Sequence, residues 1–129
     1  MNNKVLNKEE IHILAEVAFA ALDWGEPRVA EVIFSALRFV NPQEPGVYIG
    51  WALSFLQQNR HELALDVLQK DAVMAGANNE EVELFTAMTL RQVGLVVDST
   101  QRLQRLKKDA SIPSVKNVAL MVSQVNFPL

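Results

Sequence analysis

Residues Val47–Leu68 read VYIGWALSFLQQNRHELALDVL, and the first ten of them, Val47 to Leu56, carry no charge. A bilayer-crossing helix needs roughly 20 apolar residues, and this run stops at QQNR after ten. A helix lying on a globular surface shows one apolar stripe and one polar stripe. Here both faces are apolar, so two different neighbours must cover the segment. After a turn at NRH a further helix is expected, with Leu63, Ala64, Val67 and Leu68 on one side.

The same arrangement lies upstream. Leu14, Val17, Ala18, Ala21, Ala30, Phe34, Leu37 and Pro42 match Tyr48, Trp51, Ala52, Phe55, Ala64, Leu68, Asp71 and Gly76 at a constant offset of 34. That is a repeat. The small pairs, Ala18 with Ala30 and Ala52 with Ala64, let two helix backbones approach closely while larger residues fill the grooves on either side. A third unit appears when one residue is inserted, with Ala87, Leu90, Ser99, Leu103 and Leu106 at equivalent places.

Local signals delimit the helices. Asn7 with Glu10 forms a capping box that starts a helix at Lys8, and Gly25 is its expected left-handed cap. Pro27 suits the first turn of the second helix, which NPQEPG breaks, and Pro45 leads in the third. Asn78 with Glu81 repeats the capping-box form before a helix to about Gln92, and another runs from Val96 to Lys108. The last segment, after Pro113, is expected as a helix using Val115, Val118, Ala119, Val122 and Val125, although its β-branched residues leave a strand open.

Composition narrows the function. Twelve Lys and Arg against fifteen Asp and Glu give a net charge of −3, with no basic stripe to follow a phosphate backbone, so nucleic acid is not expected. No cysteine is present, which excludes disulfides and thiolate chemistry and suits a reducing compartment. No signal peptide is read at the start and no membrane insertion is expected. His12 and His61 lie in different helices without a second ligand at metal spacing. No catalytic triad, Gly-rich phosphate loop or His-Glu helix motif occurs, so neither a metal, a cofactor nor an enzymatic activity is expected.

A 34-residue helix-turn-helix period with Ala at its eighth and twentieth places resembles the tetratricopeptide repeat. Trp51 at the seventh place, rather than the fourth, and Ala21 in place of Tyr depart from the pattern. The resemblance implies an all-α, right-handed solenoid of about three helix pairs plus a C-terminal capping helix. One domain over residues 1–129 is expected, with units at about 11–44, 45–78 and 79–112 and a last helix at about 113–126.

It also implies a concave surface lined by the first helix of each pair. The groove places are His12, Ala15, Phe19, Leu22 and Asp23, then Gly46, Ile49, Leu53, Leu56 and Gln57, then Leu84, Met88, Arg91 and Gln92. Phe19, Leu22, Ile49, Leu53, Leu56, Leu84 and Met88 would form an apolar trough, with Arg91 beside it. Soluble monomers seldom leave such a patch open, so a partner is expected to fill it. Family members that grip a C-terminal carboxylate use Lys, Arg and Asn, of which this trough offers little. An amphipathic helix suits it better, with Met88 as an adaptable contact.

The unit LAEVAFAALDWGEPRVAEVIFSALRFVNPQEP, the unit from Val47 and the worn third unit together resemble the small repeat-containing chaperones of bacterial type III secretion, particularly those that hold the needle subunit. That resemblance implies a cytoplasmic protein sequestering an amphipathic helix of a secreted, self-polymerising subunit, often with a second small helical co-chaperone. Chaperones of translocator proteins look similar but are usually longer. The alternative is a constitutive repeat scaffold or homo-oligomer that uses the same surfaces permanently, or a last helix that folds back into the trough.

Overall fold

The computed structural model describes residues 6–125. Its elements are α1 (Lys8–Asp23), α2 (Pro27–Val40), α3 (Pro45–Gln57), α4 (His61–Asp66), a π-helical turn (Val67–Asp71), α5 (Ala72–Met74), α6 (Glu80–Gln92), α7 (Val96–Asp109) and α8 (Pro113–Ser123). No strand forms among the described residues. The segment after Pro113, where β-branching left a strand open, is helical.

Caps explain the boundaries. Asn7 Oδ1 accepts from the Glu10 amide at 2.8 Å, and the Asn7 amide donates to Glu10 Oε1 at 3.0 Å, closing the expected capping box. At α6 the cap is Asn79, whose Oδ1 accepts from the Val82 amide at 2.9 Å; the expectation of Asn78 with Glu81 is off by one residue. Two adjacent asparagines offer the same side chain, and only the backbone path selects between them.

The turns between paired helices are taken by residues with left-handed backbone: Gly25 (φ 76), Asn59 (φ 59) and Gly94 (φ 89). The first two stand 34 apart and the last two 35, so one extra residue enters after Asn59. The helix caps agree, since Glu44 and Asn79 are also 35 apart. The π turn at Val67–Asp71 lies between these markers and takes up the extra residue without interrupting the rod, because Asp66, Val67, Asp71 and Ala72 all keep right-handed helical backbone. This corrects one sequence equivalence. Leu37 corresponds to Ala72, which is fully buried, and not to the half-exposed Asp71.

Small residues hold each crossing. Ala18, Ala30 and Ala64 are fully buried, Ala52 is nearly so, and in the third pair Ala87 faces Ser99. The Ser99 hydroxyl donates to the Ala87 carbonyl at 2.7 Å, which satisfies the polar atom that replaces the alanine methyl.

The uncharged run at Val47 is answered by its surroundings. α3 packs on α1, α2, α4, the π turn and α6. Eight of its residues are buried, Trp51 between helices among them. The Phe34 ring from α2 lies against Gly50, where any Cβ would fall within the ring. One core runs from α1 to α5 and reaches Val82; a second joins α6, α7 and α8 through Leu84, Ala87, Leu103, Leu106, Val115, Ala119 and Val122. α8 packs on α7 and α6, where the first helix of a fourth pair would stand. Glu80 pins its start by accepting from the Ser111 and Ile112 amides at 2.6 and 2.9 Å. These hydrogen bonds, the Ser111 amide first, hold the Glu80 carboxyl below its ordinary pKa.

Candidate functional site

The successive contacts of α1 with α3 and of α3 with α6 make an inner layer, with α2, α4 and α7 outside. Where the N-terminal halves of α1 and α3 diverge, they leave a cavity of about 580 Å³. Its walls are Ile11, His12, Ala15 and Phe19 from α1 and Gly46 and Val47 from α3; Phe34 and Leu37 of α2 form the floor. Lys8, Glu16, Asn41 and Glu44 place polar groups at its edge. An apolar interior with a few polar groups around it is the usual composition of a ligand site, and the volume lies in the usual range.

Several contacts fix this opening. The Phe19 ring packs edge-on against Phe34 at 4.8 Å between centroids. Tyr48 donates its hydroxyl proton to the Pro42 carbonyl at 2.7 Å, holding the α2–α3 loop. Burial, the largest influence on that phenol, raises its pKa, and Asp71 adds to the rise while Arg38 opposes it. Glu44 Oε1 accepts from the Gly46 amide at 3.1 Å, capping α3 at the cavity edge. His12 Nε2 lies 2.9 Å from Glu16 Oε1 one turn along α1. At the other end of the inner layer, Gln57 Nε2 donates to the Leu22 carbonyl at 3.1 Å and ties α3 to α1.

The eight residues expected to form the groove separate by depth. Phe19 is exposed and lines the cavity. Leu53, Leu56, Met88 and Arg91 are half-buried along the same side of α3 and α6. Leu22, Ile49 and Leu84 are buried, at 7%, 6% and 7% exposure, because neighbouring first helices pack closely enough to enclose them. Leu84 and Met88 belong to the core shared with α8, so part of their surface is already covered within the chain. Among the other groove places, His12, Ala15 and Gly46 meet at the cavity.

Sequence reading did not place Ile11, Phe34, Leu37 or Val47 at this opening. All four looked like interior positions; Phe34, Leu37 and Val47 are buried and Ile11 partly so, and the cavity exposes one edge of the core. Small residues carried the available signal: Ala15 and Gly46 face each other across two first helices, and neither side chain can fill the space between them.

The fold is shared with a secretion chaperone. The structure matches that of the Yersinia enterocolitica type III secretion translocator chaperone SycD with a TM-score of 0.78 at 18% identity, covering 92% of this chain and 88% of that one. It also matches SycD in complex with a peptide of the translocator YopD, with a TM-score of 0.74 at 20% identity, covering 92% and 90%. No family model and no curated protein sequence matches the chain. Among the described residues no helix is long and apolar enough to cross a membrane.

Proposed function

We propose that this chain is a type III secretion chaperone that holds a segment of a secreted protein along its inner layer, with one apolar anchor in the cavity between α1 and α3. The observation that carries this reading is the cavity itself: an open, apolar-floored space on the inner layer of a solenoid whose fold matches SycD along nearly its whole length. Phe19, Leu53, Leu56, Met88 and Arg91 would meet the guest at the surface. Leu22, Ile49 and Leu84 would shape the floor beneath it.

The resemblance in sequence favours an amphipathic helix of a self-polymerising, needle-like subunit, held in the cytoplasm with or without a co-chaperone. A second guest is favoured by a specific observation, since SycD was solved with a peptide of the translocator YopD. For either guest, burying about 500 Å² of apolar surface contributes roughly 12 kcal/mol gross. Association and ordering cost an estimated 4–15 kcal/mol, so a preorganised cavity matters to the net affinity.

Gly46→Leu tests the reading. An added Cβ at Gly46 meets only Glu44 Oε1, at 3.4 Å, so the larger side chain enters the cavity without displacing the backbone. Coexpressed with the needle and translocator subunits of the same organism, the wild-type chain should keep one of them soluble and copurify with it. Gly46→Leu should lose that guest while its melting temperature and circular dichroism stay unchanged. Retention of the guest by Gly46→Leu, or no soluble complex with any of these subunits, refutes the proposal in favour of the permanent scaffold.

A further inference from the structure

The outer layer carries a second opening, which the guest does not use. α2 and the rod formed by α4, the π turn and α5 pack on α3 but not closely on each other, so a furrow floored by α3 runs between them. At one end it deepens to a cavity of about 330 Å³ lined by Arg38, Phe39, Tyr48, Asp71, Met74 and Ala75. Phe39 on the α2 wall and Met74 on the α5 wall are 74% and 87% exposed. The π turn shapes this end, because its extra residue gives the buried place matching Leu37 to Ala72 and leaves Asp71 at the surface near Arg38. Such turns within helices are frequent at functional positions.

Two polar groups meet there with their hydrogen-bonding capacity unspent. The Arg38 guanidinium carbon lies 4.6 Å from the ring centroids of both Phe39 and Trp51, so stacking orients it. Its Nη1 stands 4.0 Å from Asp71 Oδ1, beyond hydrogen-bond reach. Its Nε is buried without an acceptor, and so is the indole nitrogen of Trp51 against which it stacks. Buried donors without partners are rare in folded chains. We infer that this cavity binds an extended apolar segment of a partner protein by its main chain, one residue of which accepts from Arg38 through its carbonyl and donates to Asp71 through its N–H. An extended residue directs both groups to the same side, which suits a donor and an acceptor set side by side. Successive side chains of such a segment diverge to opposite sides, here onto Phe39 and Met74. A free anion would be opposed by Asp71 and a cation by Arg38, whereas a neutral peptide group suits both. The furrow lies on the outer layer and the guest cavity on the inner one, so the two sites are separately testable.

Titration of the ¹⁵N-labelled full chain with the capped peptide acetyl-Ala-Leu-Phe-Ala-amide is the direct experiment, followed at the Arg38 Nε–H and Trp51 indole N–H signals. Both should shift and saturate. The same peptide methylated on its Leu and Phe nitrogens should move neither, and acetate should not replace it. Read at Trp51, Arg38→Met and Asp71→Ala should each weaken binding about fivefold or more, as expected for a lost hydrogen bond. Phe39→Ser alters only an exposed side chain and should weaken binding with helicity unchanged. Val97→Ser removes an equally exposed apolar side chain from the third unit and should have no effect. No saturable shift, equal binding of the methylated peptide, the same shifts with acetate, full affinity in Phe39→Ser, or weakening by Val97→Ser would each overturn the inference.

Discussion

α3 and α6 occupy equivalent places in successive units, yet one is uncharged from Val47 to Leu56 while the other begins with Glu80, Glu81 and Glu83. α3 is enclosed by helices of its own and both neighbouring units, and its specificity comes from shape: Gly50 under the Phe34 ring, and Ala52 at the crossing with Ala64. The third unit relies more on polar pairing. Glu83 Oε1 receives Arg102 Nη1 at 2.9 Å and Arg105 Nη2 at 3.3 Å, Arg102 Nε reaches Asp98 at 2.9 Å, and Glu80 binds the start of α8. Thr86 and Thr89, both buried, direct their hydroxyls back to carbonyls of their own helix. A central helix with neighbours on all sides is held by close packing. A helix near the end, with α8 as its neighbour on the C-terminal side, is held more by directional contacts that fix where α8 sits.

The contrast is most severely tested at Ala52. Ala52→Asp places an unpaired charge at a buried crossing and should unfold the chain, a loss above about 4 kcal/mol. Leu53→Asp, one residue on and half-exposed, should leave helicity nearly intact while removing guest binding. Equal collapse of both variants in circular dichroism would mean that α3 has no open side. Gly50→Ala comes next: its methyl overlaps the Phe34 ring, and overpacking of this kind costs about 3 kcal/mol in denaturant titrations. A loss below about 1 kcal/mol would show that the first core yields more readily than its shape implies.

In the third unit the expected effects are local. Glu80→Ala should increase hydrogen exchange over residues 111–123 while α1 to α5 stay protected. Acid should act in the same direction. The folded carboxyl titrates below its ordinary value of 4.5, so its contribution is complete above that value and is lost as pH falls through the folded pKa. Detachment of α8 as pH rises instead would contradict the assignment. Smallest of all is Ser99→Ala, which restores the alanine of the first two units and removes one hydrogen bond; calorimetry should register about 1 kcal/mol or less.

Much of the first two units was legible because their determinants are local or strictly periodic: the Asn7 cap, Gly25, the prolines that open α2 and α3, and the small pairs at an offset of 34. The π turn left no such mark. Its extra residue shows only downstream, as the one-residue insertion needed to align Ala87 and Ser99, and Asp71 was therefore matched to Leu37 in place of Ala72. Trp24, at the turn of the first pair, is three-quarters exposed, which its aromatic character alone does not disclose. Depth within the groove was illegible for a related reason. Periodicity identifies the side of α3 that carries Ile49 and Leu53, but only the spacing of α1, α3 and α6 decides that Ile49 is enclosed while Leu53 retains an open face.

The central claim is that a guest enters between α1 and α3. Methyl-resolved NMR of the chain titrated with the secreted subunit that copurifies with it tests this most directly. The account predicts that the largest shifts fall on Ile11, Ala15, Leu37 and Val47 around the cavity, with Leu53 and Met88 following along the inner layer. Shifts centred on α7 and α8, with the cavity methyls unmoved, would contradict it.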